Sequence, residues 1–357
     1  MRFEGKGMKN FRVGNKSVGE DAPAFIIAEI SANHGQDFDR AVRTIAAAAE
    51  CGVDAVKFQT YTPDTITMKS NDKSFRIDEK LWRGKTLYDL YKEAYTPWHW
   101  FKKLKRAAED HGLVFFSTAF DRTAVDLLEE IDVPAHKIAS FELVDIPLIE
   151  YAAGTGKPLF MSTGMASIRE VSDAVQAAKR SGTKKICLLK CVSGYPARPE
   201  DFNLNTIPDM GKRFGAVTGL SDHSLGTVVS VASIPLGAKV VEKHFTLSRK
   251  LRTPDNFFSL EPAEMKSLVE NVRSVEASLG RVKYGCSSEE EKKNIKYRRS
   301  LFASADIKKG EAFTEENVRS IRPAGGLAPK YMRSVIGKKT RIEIKKGTPI
   351  TWGAVQR

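Results

Sequence analysis

Short apolar runs alternate with amphipathic stretches through the first three quarters of the chain. The runs Phe25–Ile30, Asp54–Thr60, Leu113–Thr118, Lys137–Glu142, Pro158–Thr163 and Lys185–Val192 predict strands, and two more end at Ser221 and His244. Runs of this kind belong to strands buried on both faces. Between them the 3.6-residue pattern predicts helices over Asp37–Cys51, Asp121–Ile131, Pro147–Ala153, Ser167–Arg180, Glu200–Lys212, Leu225–Leu236 and Glu261–Leu279. Another starts at Thr96–Pro97, with proline in its first turn. Gly52 and Gly280 close two helices, where glycine readily takes the left-handed conformation. Eight strand-helix units over about 260 residues match a (β/α)8 TIM barrel. A doubly wound sheet is the alternative and fits eight regular units less well.

Two segments break the alternation. Tyr61 to Tyr95 is a long polar and aromatic excursion, and excursions of this length are usually functional or disordered. After Gly280 comes a charged segment, Cys286–Arg299, and then a β-rich stretch in which Ile307-Lys308-Lys309-Gly310 is echoed by Ile344-Lys345-Lys346-Gly347. Thr314 is placed to cap a short helix through Val318, and Arg322 to Gly326 reads as a loop carrying one cation. The expected organisation is a barrel over 1–280, a linker over 281–298 and a small domain over 299–357. About 60 residues make a thin core, so the small domain should lean on another surface.

The strand ends carry the chemistry. Every predicted strand finishes in polar groups: Glu29; Lys57 and Gln59; Thr118; Ser140 and Glu142; Ser162 and Thr163; Ser193 and Tyr195; Ser221 and His223; Glu242 and His244. In a barrel these ends form the active-site face. His223 and His244, at the ends of consecutive strands, could face one point and hold a divalent metal; two hydrogen-bonded core histidines are the plainer alternative. Lys57 and Lys137 among so many hydroxyls suit a phosphate or carboxylate. A Schiff-base lysine is the other reading. Glu29 and Glu142 are candidates for proton transfer, or for salt-bridging the lysines.

Composition narrows the classes. The chain has 357 residues, 41% hydrophobic and 28% charged, within the globular range. No apolar run approaches the ~20 residues of a membrane span, and the basic N-terminus lacks the apolar core of a signal peptide. Scattered cysteines (Cys51, Cys187, Cys191, Cys286) fit a cytoplasmic location. The net charge of +13 is spread along the chain without aromatic interleaving, which favours an anionic small molecule over a nucleic acid.

IAEISANHG (27–35), VKFQTYTPDTIT (56–67), FSTAFD (116–121), KIASFEL (137–143), STGMAS (162–167), GLSDHS (219–224) and EKHFT (242–246) together resemble the sialic acid synthase family. TYTPDTIT and GKTLYDLYKEAYTPW (84–98) look like its pseudaminic acid branch. The resemblance spans nearly the whole chain. It implies a TIM barrel followed by an antifreeze-like SAF domain, and a condensation of phosphoenolpyruvate with an amino-sugar aldehyde and water that releases phosphate. By motif it implies phosphoenolpyruvate contacts from Lys57, Thr118, Lys137, Ser140, Ser162, Ser193 and Ser221. It further implies a divalent ion on His223 and His244 (Mn2+ first, Mg2+ or Co2+ as alternatives), and sugar contacts from Gln59, Tyr195 and Asp255. Glu29 and Glu142 would sit at the reacting centre, and Arg322 would come from the small domain of a second subunit in a domain-swapped homodimer. The pattern departs at Ser193, where the family often has asparagine. Synthases for N-acetylneuraminic or legionaminic acid, and a non-enzymatic carbohydrate- or ice-binding protein, are the other readings.

Overall fold

A computed structural model describes residues 10–77 and 84–356. The stretch 78–83 of the long excursion and most of the basic N-terminus lie outside the described residues. The chain divides into two compact units, Met1–Gly280 and Arg281–Arg357.

The first unit opens with a hairpin, β1 (Phe11–Val13) and β2 (Lys16–Val18), paired antiparallel. Eight strands follow: β3 (Phe25–Glu29), β4 (Ala55–Thr60), β5 (Val114–Ala119), β6 (His136–Ile138), β7 (Leu159–Ser162), β8 (Ile186–Cys191), β9 (Val217–Asp222) and β10 (Val240–His244). They close a barrel of parallel strands, with β10 pairing back onto β3. Helices cover its outside, and each capped N-terminus follows from its sequence. Asp37 accepts from Arg40 N, Asp121 from Ala124 N, and Ser167 forms a reciprocal capping box with Glu170.

The lower half of the lumen is apolar. Phe160 sits among Phe11, Phe25 and Phe116, with ring centroids 6.1, 6.4 and 5.4 Å away. Phe11, Val13 and Val18 are buried, so the hairpin belongs to the core. Asp54 ties three elements together. It accepts from Ile26 N at 2.9 Å, Lys16 at 3.1 Å and Arg273 at 3.2 Å. Gly219 lets β9 pack closely, because a Cβ there would lie 2.7 Å from Val240 Cβ and 2.8 Å from a Leu189 methyl.

Several elements differ from the sequence expectation. Strand β6 stops at Ile138, and 141–144 is a turn, so Glu142 leaves the sheet. The helix expected from Glu200 begins at Thr206, after a left-handed Asn203. The one expected over Leu225–Leu236 is reduced to Val228–Ser233, since its β-branched residues are poor helix formers and Pro235 follows.

In the second unit, β11 (Ser300–Ala303) pairs antiparallel with β12 (Val318–Ile321). No helix starts at Thr314. Its hydroxyl accepts from Asn317 N while Asn317 Oδ1 accepts from Thr314 N, closing a turn into β12. The repeated segments pair with each other, since Ile307 N donates to Ile344 O at 2.8 Å and Ile344 N returns the bond at 2.9 Å. Gly310 and Gly347 hold matching positive φ angles of 82° and 85°. Leu301, Ile307, Phe313, Val318, Ile344 and Ile350 form a small core. The segment expected as a linker holds a short helix, Glu289–Lys293. No helix among the described residues is long and apolar enough to cross a membrane.

Candidate active site

Alternation along each strand decides which side chains enter the lumen. On β4, Phe58 packs outward against His34 and Phe115, so Lys57 and Gln59 point inward. Lys57 Nζ contacts Glu29 Oε2 at 2.5 Å and donates to Thr118 Oγ1 at 2.8 Å. Gln59 Nε2 donates to the other Glu29 oxygen at 3.2 Å. Lys137, the middle residue of the three-residue β6, donates to Ser162 Oγ at 2.6 Å and to Ile138 O at 3.2 Å. Both lysines are almost fully buried.

Glu242 links the two halves. Its Oε1 accepts from Ser221 Oγ at 2.8 Å, and its carboxylate lies 3.8 Å from both Lys57 Nζ and Lys137 Nζ. The sequence reading placed Glu242 at a strand end but gave it no role. The signal was present: alternation puts Lys243 outside and Glu242 beside Ser221. The glutamates are held apart electrically. Burial raises Glu29 to about 7, against the pull of Lys57. Burial acts on Glu242 too, but Lys137, Lys57 and the Ser221 hydroxyl lower it. Glu242 therefore carries the charge and Glu29 is the proton acceptor of the pair. Lys137 is lowered, mainly by burial.

A hydroxyl cradle lies beside Lys137. Ser140 Oγ accepts from Gly164 N at 3.1 Å. Ser193 Oγ is buried with no partner among the described residues. A Cβ on Gly164 would come within 2.7 Å of Ser140 Oγ and collide with Ser193 Oγ. Gly164 was missed by sequence reasoning, and the tight STG turn was its trace. A pocket of two ammonium groups, an N–H and four serine hydroxyls (Ser140, Ser162, Ser193, Ser221) suits a small dianion.

Glu142 reaches the mouth from the turn after β6. Its Oε2 is buried without a partner among the described residues, and burial raises its carboxyl to about 7. Asp255 spends Oδ2 on Ser31 Oγ at 2.5 Å and Ala32 N at 3.4 Å, so it also anchors the loop after β3. His34 of the same loop is structural: it bonds Thr96 Oγ1 at 2.9 Å and receives Gln36 N.

The imidazoles of His223 and His244 lie 5.3 Å apart, centroid to centroid. His223 Nδ1 is 2.9 Å from Val192 O. A carbonyl only accepts, so Nδ1 carries the proton and Nε2 keeps a lone pair in the neutral ring. His244 Nδ1 is buried without a partner among the described residues, and burial followed by the charge of His223 holds its pKa well below the usual range. Burial lowers His223, but Cys191, the Val192 carbonyl and Glu242 outweigh it and raise the ring above its usual range, so His223 would release its Nε2 proton on binding a metal. With that proton gone, both imidazoles offer lone pairs that fit a divalent ion. No group of three or more His, Cys, Asp or Glu among the described residues is arranged to hold one, so the remaining positions would fall to water and substrate. Phe258 packs against both rings, at 4.7 and 6.2 Å, and Tyr195 lies tilted against His223 at 4.6 Å. Arg322, in the second unit, is exposed and makes no ion pair among the described residues.

Residues 44–284 match the NeuB family and residues 298–356 the SAF domain. The pseudaminic acid synthase of Helicobacter pylori is 41% identical over 94% of this chain and 98% of its own. The N,N'-diacetyllegionaminic acid synthase of Legionella pneumophila is 33% identical over 96% and 98%. The crystal structure of the Bacillus subtilis spore coat polysaccharide biosynthesis protein spsE superposes with a TM-score of 0.67 at 34% identity, covering 98% and 99% of the two chains.

Proposed function

The chain belongs to the NeuB family, and from that premise we propose that it is a cytoplasmic pseudaminic acid synthase. It is a transferase that condenses phosphoenolpyruvate with 2,4-diacetamido-2,4,6-trideoxy-β-L-altrose and water, giving pseudaminic acid and phosphate. The observation that carries this reading is the buried Lys57–Glu242–Lys137 array beside the serine cradle and the histidine pair. The choice of sugar rests on the 41% identity with pseudaminic acid synthases, above the 33% with the legionaminic enzyme.

Phosphoenolpyruvate places its carboxylate against Lys57 and Thr118 and its phosphate against Lys137, Ser140, Ser162, Ser193, Ser221 and Gly164 N–H. The sugar lies above, against Gln59, Tyr195 and Asp255. The methylene carbon forms the new C–C bond to the aldehyde carbon, whose oxygen becomes a hydroxyl. The carbon bearing phosphate turns electrophilic and takes water, and its C–O bond to phosphate breaks. Glu29 and Glu142 titrate near neutrality, so either can give the hydroxyl its proton or take the one lost by water. His223 and His244 would hold Mn2+, with Mg2+ or Co2+ as substitutes, and a bound divalent ion polarises the aldehyde oxygen. Orientation in such a site contributes on the order of 7–11 kcal/mol.

The working form is a homodimer in which the SAF domain of a second copy closes each barrel and brings Arg322 to the sugar. Support comes from exposed apolar residues on the loops after three strands: Phe141 at 58%, Met165 at 65% and Leu225 at 63% exposure.

The test is phosphate release from phosphoenolpyruvate with a panel of amino sugars, with and without chelator. Release with the trideoxy-altrose alone, lost on chelation and restored by Mn2+, is expected. Release with N-acetylmannosamine but not with the altrose would overturn the sugar, and full turnover in chelator would overturn the metal.

A further inference from the structure

Ser221 and Glu242 bond to each other inside the lumen. The next residues, Asp222 and Lys243, therefore face outward, away from any substrate. There they form an ion pair at 2.9 Å with side-chain exposures of 0% and 1%. Their bonding is complete. Asp222 Oδ1 accepts Ser224 N at 2.8 Å and Ser224 Oγ at 2.6 Å, while Oδ2 accepts Ser230 Oγ and the lysine. Lys243 Nζ also donates to Ser224 O. Ser230 sits on the helix Val228–Ser233, so strands and helix are clamped at one point.

A buried ion pair is a weak source of stability, and apolar residues of similar volume often serve as well or better. What this pair does supply is register. Lys243 and Asp222 are direct partners across β9 and β10, and His244 and His223 are the very next residues. A one-residue slip of either strand tip would turn its histidine to the other face. We propose that the Asp222–Lys243 pair positions the two histidines, fixing the tips of β9 and β10 so that both imidazoles meet one divalent cation. This rests on the two-histidine metal reading above. Asp222 and Lys243 touch neither metal nor substrate and act only through His223 and His244.

The test compares wild type with Asp222→Leu/Lys243→Met, and with the near-isosteric Asp222→Asn/Lys243→Gln should the first not fold. Mn2+ binding is titrated by electron paramagnetic resonance with saturating phosphoenolpyruvate. Phosphoenolpyruvate affinity without metal and the melting temperature are measured in parallel. A merely structural pair would lower melting temperature and weaken both ligands together. The positioning role predicts a Mn2+ dissociation constant raised at least tenfold with phosphoenolpyruvate affinity within twofold of wild type. The melting temperature falls in either case, because Ser224 and Ser230 lose their acceptor, so the separation of the two ligands decides. Mn2+ bound equally well by wild type and variant overturns the positioning role alone. Wild type that binds no Mn2+ overturns the metal reading and the positioning role together.

Discussion

At the scale of single residues, the site is a balance of buried charges. Two lysines face one ionised glutamate, Glu242, and one that titrates near neutrality, Glu29, so the pocket's side chains carry an excess of positive charge suited to an anion. Gly164→Ala should fold but place its methyl in the serine cradle, raising the KM for phosphoenolpyruvate roughly tenfold or more with little change for the sugar. Lys137→Met should have the same selectivity and a larger effect, of about 100-fold, because it removes a charged donor. A sugar KM that moves instead would remove both residues from the phosphate subsite. Glu142 offers a pH test. Its folded carboxyl titrates at about 7 against an ordinary 4.5, so between these values the native state holds a proton that the unfolded chain has released. Stability then falls as pH rises through this window, by roughly 3 kcal/mol in full. Glu142→Gln removes its share of this slope and leaves that of Glu29, so the variant's melting temperature relative to wild type should climb from pH 5 to pH 8. Parallel curves would show that Glu142 is not held neutral.

Elements explain what the sequence made visible. The strand ends stood out because a core strand has no physical reason to finish in Lys, Glu or His, and inward residues of β4, β9 and β10 follow from simple alternation. Glu142 was placed on a strand because KIASFE is continuous in character, yet its small residues turn early to bring Ser140 under Gly164. The β1–β2 hairpin went unread, although Gly14-Asn15 between two short alternating runs is a hairpin signal. What the sequence could not show is that the hairpin ends against Phe160, since that contact spans 149 residues and leaves no local trace. Phe11→Ala should therefore cost about 3–5 kcal/mol of stability while both KM values stay unchanged. A kinetic defect at a temperature where the variant is folded would contradict a purely supporting role.

At the scale of the molecule, the small unit carries an exposed Arg322 with no ion pair among the described residues, and the barrel presents exposed Phe141, Met165 and Leu225 at its mouth. In the proposed homodimer these belong to one assembled site. Mixing Arg322→Ala subunits with His244→Ala subunits distinguishes the arrangements. If closure occurs in trans, each mixed dimer pairs one intact barrel with one intact lid, and up to half the wild-type activity per dimer returns. If subunits exchange and no activity returns, closure in trans is wrong. The closing pair of the barrel carries a further consequence. Because β3 completes the cylinder only by accepting β10, 215 residues separate His244 from its partner Glu29. On the ribosome, β3 must wait with an open edge until nearly 70% of the 357-residue chain has been made. A nascent barrel is thus a growing sheet with two unpaired borders, prone to pair with its neighbours on the same polysome. Slowing translation upstream of β10 should lower the soluble yield, whereas a pause after it should not. The enzyme's vulnerability to aggregation would then lie in the timing of its synthesis, long before any finished molecule meets a substrate.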